Sequence, residues 1–296
     1  MIQRTLARVL RHVATQAPVV TVTGPRQSGK TTLVRGVFPR HDYVSLEDPD
    51  ARSFALEDPR GFLAHLRGRA ILDEVQRAPD LFSYLQTRVD ASDVPGEFVL
   101  TGSQDFLLLE RVSQSLAGRT AILHLFPFSL SEIEGRVPFP ATRLGRSLRG
   151  AARSSRFELM DLLFTGFYPR IHDKGLDSAR WLRDYYQTYV ERDVRQVVNV
   201  GDLEAFGRFV RLCAGRNAHL LNLSSLANDC GIGHATAGRW LSILEASFLV
   251  TLLRPHHRNF GKRLVRRPKL YFLDTGLLCS LLGIRSGRDL AIHASR

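Results

Sequence analysis

Residues Gly24 to Thr31 read Gly-Pro-Arg-Gln-Ser-Gly-Lys-Thr and fill the pattern G-x-x-x-x-G-K-[ST] at every fixed position. The pattern constrains the fold because it works only between a strand and a helix. Val19-Val20-Thr21-Val22 is an apolar run fit for a buried strand, and Thr31–Val37 is fit for the helix. Glycines let the backbone curl so that its N–H groups point inward, and the helix N-terminus adds a partial positive charge. That combination is a cradle for a phosphate, formed by Gly24, Pro25, Arg26, Gln27, Ser28, Gly29, Lys30, Thr31 and Thr32.

Arg69 to Gln76 read Arg-Ala-Ile-Leu-Asp-Glu-Val-Gln, a short apolar strand ending in two carboxylates. In a parallel sheet, ligands sit beyond the carboxyl ends of the strands, so Asp73 and Glu74 are expected beside the phosphate loop. Thr31 and Asp73 are the expected Mg²⁺ partners, and Glu74 is the expected base for a water. A third strand end, Phe98 to Leu100, runs into Thr101-Gly102-Ser103-Gln104. Ser103 is the first choice for a polar group sensing a γ-phosphate and Gln104 the second. A Thr-Gly-Ser turn also occurs without any chemistry.

Strands at Val19–Thr23, Tyr43–Leu46, Ala70–Leu72, Phe98–Thr101 and Ala121–Leu125 alternate with helical stretches, which predicts a three-layer parallel α/β sheet over residues 1–134. Arg4, Arg8 and Arg11 lie on an amphipathic segment read as the first helix of the fold. Residues 135–156, rich in Arg, Gly and Ser, form an expected linker. A mainly helical domain follows over 157–284, then a tail over 285–296. Trp181, Tyr185 and Tyr189 recur every four residues, the spacing of one helix stripe, and are expected in a core.

Residues 220–273 carry a further signature. Asn222 to Asp229 reads as a capped helix, Gly231-Ile232-Gly233 as a tight turn, and His234 onward as a second helix, followed by two apolar strands. This is the pattern of a helix–turn–helix with a wing. The wing holds Arg254, Arg258, Lys262, Arg263, Arg266, Arg267 and Lys269. Residues 1–140 hold 16 basic and 16 acidic residues; the other 25 basic and 13 acidic residues lie in 141–296, so the whole net charge of +12 falls there. Such asymmetry favours a polyanionic partner, most simply nucleic acid. A winged helix used only for packing or protein contact is the alternative. Three scattered cysteines indicate neither a disulfide framework nor a zinc site, and no run approaches a membrane span, so a cytoplasmic protein without membrane contact is expected.

Taken together the stretches resemble the prokaryotic AAA+ ATPases that join an archaeal-type P-loop ATPase domain to a C-terminal domain of unknown function. The matching residues are Gly24–Thr32, Leu72–Gln76, Leu100–Ser103, Ser115–Arg119, Pro127–Glu132, Gly166–Pro169, Tyr189–Asp193 and Phe272–Leu278. The resemblance implies ATP and Mg²⁺ held by Lys30, Thr31 and Asp73, a catalytic Glu74, and Ser103 as sensor. It makes Arg119 the candidate arginine for the γ-phosphate, in its own subunit or a neighbouring one, with Arg111 in reserve, and it implies a nucleotide-dependent homo-oligomer. Family members usually carry a glycine where this chain has Thr165. They also continue into a region similar to restriction-endonuclease folds, of which no constellation is read here. Two functions share this site. One is an ATPase that drives remodelling of DNA or a protein partner. The other is a slow-turnover, nucleotide-gated DNA- or protein-binding switch without motor activity. A small-molecule kinase is disfavoured by the helix–turn–helix segment.

Overall fold

The structure is a computed structural model that describes residues 2–103, 115–137, 155–189, 202–256 and 267–293. Gln104, Arg111, Arg258, Lys262, Arg263, Arg266, the matched residues 190–193 and most of the expected linker lie outside the described residues. The chain divides into two units, Met1–Pro138 and Phe139–Arg296.

The first unit is built on five parallel strands: β1 (Val19–Thr23), β2 (Asp42–Ser45), β3 (Ala70–Asp73), β4 (Phe98–Gly102) and β5 (Thr120–His124), in the order β2-β3-β4-β1-β5. The apolar strands alternate sides as a pleat requires. Val19, Leu72, Phe98 and Leu100 share one core with Phe62, Leu81, Phe82 and Leu85. Those partners come from α4 (Pro59–His65) and α5 (Leu81–Ser92). Val20, Val22, Ile71 and Val99 form the other core with Leu10, Leu33 and Val34, carried by α1 (Leu6–Val13) and α2 (Lys30–Val37). Helices therefore cover both faces, the three-layer α/β architecture expected from the sequence. A further helix, α3 (Pro49–Glu57), was not anticipated, although its signals are present. Asp48 accepts the N–H groups of Asp50 and Ala51 at 3.0 Å each, and Pro49 occupies the first turn.

The stretch Pro127–Glu132 has a structural explanation. Ser129 and Glu132 form a reciprocal capping box on the short helix Leu130–Ile133. Glu132 also accepts the Thr5 N–H at 2.6 Å, tying the start of α1 to the loop after β5.

The second unit is mainly helical, with a two-stranded antiparallel sheet of β6 (Val250–Leu253) and β7 (Lys269–Phe272). Trp181, Tyr185 and Tyr189 belong to its core. Trp181 stacks on Tyr185 with centroids 5.2 Å apart, and Tyr168 lies beside both. Trp240 is held edge-on between Phe206 and Phe209. The residues expected as a tail include a helix, Gly287–Ile292, whose first residue packs against Asp161.

Two of the matched stretches, far apart in sequence, close on each other in this unit. Gly166 has φ +73°, and a Cβ there would meet Asp274 Oδ1 at 2.6 Å and Gly276 Cα at 3.0 Å. A Cβ on Gly276 would in turn meet Gly166 Cα at 2.8 Å, so only glycines permit the approach. The preceding Thr165 ends a helix and turns its hydroxyl back to Asp161 O at 2.8 Å. Asp274 accepts the N–H groups of Phe167 and Leu277 at 2.8 Å each.

Burial pushes the Asp274 carboxyl up to about 6, against the lowering effect of these backbone N–H groups. A raised carboxyl pKa means that the folded state holds the proton more tightly than the unfolded chain. The contribution to stability is therefore present below the unfolded value near 3.8 and lost as pH rises through about 6. Denaturant titrations of wild type and Asp274→Asn are expected to diverge on acidification from pH 6 to pH 4. Wild type should gain about 1 kcal/mol per pH unit relative to the variant, and parallel pH dependences would refute the assignment. No helix among the described residues is long and apolar enough to cross a membrane.

Candidate functional site

Three neighbouring strands, β3, β4 and β1, deliver their carboxyl ends to one place, and a different chemistry emerges from each. From β1 comes the phosphate loop. Gly24 has φ +148°, and a Cβ there would lie 2.2 Å from Leu125 O, so the loop passes β5 closer than any side chain allows. Gln27 and Gly29 also have positive φ, which curls the loop before α2 begins at Lys30.

Lys30 is 6% exposed, and its ammonium donates to Gly24 O and Pro25 O at 3.0 Å each. Burial lowers its pKa to about 8; Glu74 and Asp73 oppose that fall and Arg26 adds to it. A buried cation tied only to neutral carbonyls is under-compensated, and phosphate oxygens would satisfy it better.

Asp73, at the end of β3 and 5% exposed, gathers three hydroxyls. Thr31 Oγ1 and Tyr43 Oη donate to Oδ2 at 2.8 Å each, and Thr101 Oγ1 donates to Oδ1. With its proton given to Asp73, Thr31 turns a lone pair outward, as a ligand for a hard cation must. The residues thus fit a Mg²⁺ ion on Thr31 with Asp73 behind it. Thr101 serves twice, since its oxygen also accepts the Glu74 N–H at 3.3 Å. Ser103, at the end of β4, donates to Glu74 Oε2 at 3.0 Å.

Lys30, Thr31, Asp73, Glu74 and Ser103 are therefore brought together. Sequence reasoning missed Tyr43, whose ring lies under the Arg35 guanidinium at 4.6 Å. Burial, followed by the Asp73 carboxylate, pushes its hydroxyl up to about 12, keeping it a donor. Tyr43 pairs with Ile71 in the parallel register, so Asp73 lies two residues further along β3 on the same face. A tyrosine in phase with the acidic residue of the next strand was the available signal.

Arg119 is not at this site. Its carbonyl accepts the N–H of Val19, the first residue of β1, at 3.2 Å, which places it at the amino ends of the strands. The five-residue length of β1 separates it from the loop, roughly 17 Å at 3.3–3.4 Å per residue. Its guanidinium binds both oxygens of Asp90, with the Nη2 contact at 2.9 Å, and the Ala117 carbonyl at 3.1 Å. From here it does not meet a phosphate in the loop of its own subunit.

In the second unit, helix Leu223–Cys230 is capped by Asn222 and turns at Gly231, with φ +70°, toward helix His234–Ala246. The second helix buries Ala237, Trp240, Leu241 and Leu244 and leaves His234, Arg239 and Ser242 exposed. Leu220 bridges Lys269 on the free side of β7, and Arg254, Arg267 and Lys269 are exposed along the same sheet.

Residues 16–134 match the AAA domain family, and residues 156–288 match a domain of unknown function (DUF8612). The chain is 34% identical over 285 residues to two uncharacterized proteins, Mb2031c of Mycobacterium bovis and Rv2008c of Mycobacterium tuberculosis, covering 95% of this chain and 60% of each relative. It thus spans 60% of the length of these curated relatives. Among solved structures, the Walker-type ATPase PABY2304 of Pyrococcus abyssi shares the fold with a TM-score of 0.54 at 15% identity, over 95% of this chain and 96% of that one. With the phosphate loop, the paired carboxylates and the five-stranded parallel sheet, these matches make residues 16–134 a P-loop domain of the AAA fold, followed over residues 156–288 by a match to a domain of unknown function.

Proposed function

We propose that the chain binds ATP with Mg²⁺ and hydrolyses it, and that the nucleotide state governs binding of duplex DNA by residues 220–273. The observation that carries the first half is the convergence of Lys30, Thr31, Asp73, Glu74 and Ser103 at adjacent strand ends. Lys30 and the loop N–H groups hold the β- and γ-phosphates, while Thr31 and Asp73 hold the metal. Mg²⁺ supplies charge neutralisation on the phosphate oxygens. Glu74 takes a proton from the attacking water, and Ser103 keeps the carboxylate in place.

The DNA half is supported by the net charge of +12 confined to residues 141–296 and by the helix pair whose second helix exposes His234, Arg239 and Ser242. Helices 223–230 and 234–246 followed by strands β6 and β7 have the element order of a winged helix–turn–helix. Arg254, Arg267 and Lys269 are exposed along its sheet, and in this reading they meet backbone phosphates.

A steady-state phosphate-release assay with and without duplex DNA, paired with gel-shift titrations at several salt concentrations, tests both halves. Release should be Mg²⁺-dependent and stimulated by DNA. Binding should weaken with salt at a log–log slope of about −4 to −5, for roughly five phosphate contacts. Arg239→Glu with Arg267→Glu should weaken all duplex sequences and leave ATP binding intact. Lack of duplex binding at low salt would leave the helix pair as a protein-contact module. Tight ATP binding with negligible release would favour a switch.

A further inference from the structure

We propose that Gln76 is a positioning residue that fixes the Glu74 carboxylate for proton transfer. The proposal rests on the reading of Glu74 as the base. Glu74 follows β3 with φ +54°, a conformation disfavoured for any residue with a Cβ. The chain then enters a 3₁₀ turn, Val75–Arg77. That turn brings the side chain of residue 76 back over residue 74, and Gln76 Nε2 donates to Glu74 Oε2. Ser103 Oγ donates to the same oxygen from the end of β4.

Two donors from different elements therefore converge on one carboxylate oxygen. They fix the plane of the group and its rotamer together. Among the described residues no donor meets the other oxygen, Oε1, which is left to receive a proton.

The second atom of the Gln76 amide argues against a role in packing alone. Its Oε1 is buried and has no hydrogen-bond partner among the described residues. A buried unpaired acceptor opposes folding, so an apolar side chain of the same size would serve the fold better. The amide points its nitrogen at Glu74 because the reverse orientation would set a carbonyl oxygen against a carboxylate.

Gln76→Leu separates the two roles, since it keeps the volume and removes both polar atoms. The expected result is a kcat lower by about ten- to a hundredfold, an unchanged ATP dissociation constant, and a Tm equal to or above wild type. A Gln76→Leu protein with wild-type kcat would overturn the proposal, as would a loss of kcat that merely follows a fall in Tm and ATP affinity. If wild type releases phosphate no faster than Glu74→Gln, the reading of Glu74 as base fails separately. The positioning contact then still has its own readout, the side-chain carboxyl resonance of Glu74 in protein labelled with ¹³C-glutamate, assigned by its disappearance in Glu74→Gln. That resonance should move or broaden in Gln76→Leu; an unmoved resonance overturns the contact.

Discussion

Glu74→Gln is expected to lower phosphate release by about a hundred- to ten-thousandfold, the range for losing a general base, while ATP stays bound. The amide keeps the shape of the carboxylate, and its oxygen still accepts from Ser103 and Gln76 at the position of Oε2. What it cannot do is take a proton from water. Lys30, the loop and the Thr31–Asp73 pair are untouched, so the dissociation constant for ATP should remain within a few-fold of wild type. Equilibrium binding of a fluorescent ATP analogue alongside phosphate release resolves the two quantities. Turnover at the wild-type rate in Glu74→Gln would remove Glu74 from the chemistry.

Lys30→Met should do the opposite to binding and something less intuitive to stability. Binding of ATP should weaken by at least about a hundredfold, because the charge that meets the β- and γ-phosphates is gone. The protein without nucleotide should nonetheless become more stable at neutral pH. Lys30 has its pKa lowered by burial to about 8 from 10.5, so keeping it charged at pH 7 costs up to about 3 kcal/mol. The sign follows from the direction of the shift. For a base with a depressed pKa the stability contribution is present above the unfolded value and lost as pH falls through about 8. Wild type should therefore gain stability relative to Lys30→Met between pH 7 and pH 10, and calorimetry should show proton uptake on ATP binding above pH 8. A variant less stable than wild type at pH 7, across repeated denaturant titrations, would contradict the account.

The legible part of this molecule was the part governed by local chemistry. The phosphate loop announces itself because consecutive backbone groups must curl between a strand and a helix, and Asp73-Glu74 because an apolar strand can end in charge only where it leaves the core. Tyr43 and Gln76 were harder. The first depends on the register of β2 against β3, and the second on a positive φ at Glu74 that turns the chain back on itself. Neither is a property of neighbouring residues alone. Arg119 shows the reverse case. The resemblance nominated it in its own subunit or a neighbouring one, yet an apolar strand begins immediately after it, and a residue that opens a parallel strand lies at the end opposite the ligand of its own subunit. The sequence already contained that objection.

The contact between Gly166 and Gly276 has a consequence for the order of events in synthesis. Phe167 and Asp274 are 107 residues apart, and their hydrogen bond seals that approach. A chain emerging from the ribosome exposes the first partner long before the second exists. Local helices can form meanwhile, but the surface around Tyr168 stays uncovered until helix Thr275–Leu281 has been made. Contacts of such separation are slow to close, because loop entropy is lost before packing compensates it. The aromatic core of the second unit is thus in the care of whatever shields nascent chains until Asp274 and the helix Thr275–Leu281 have been made.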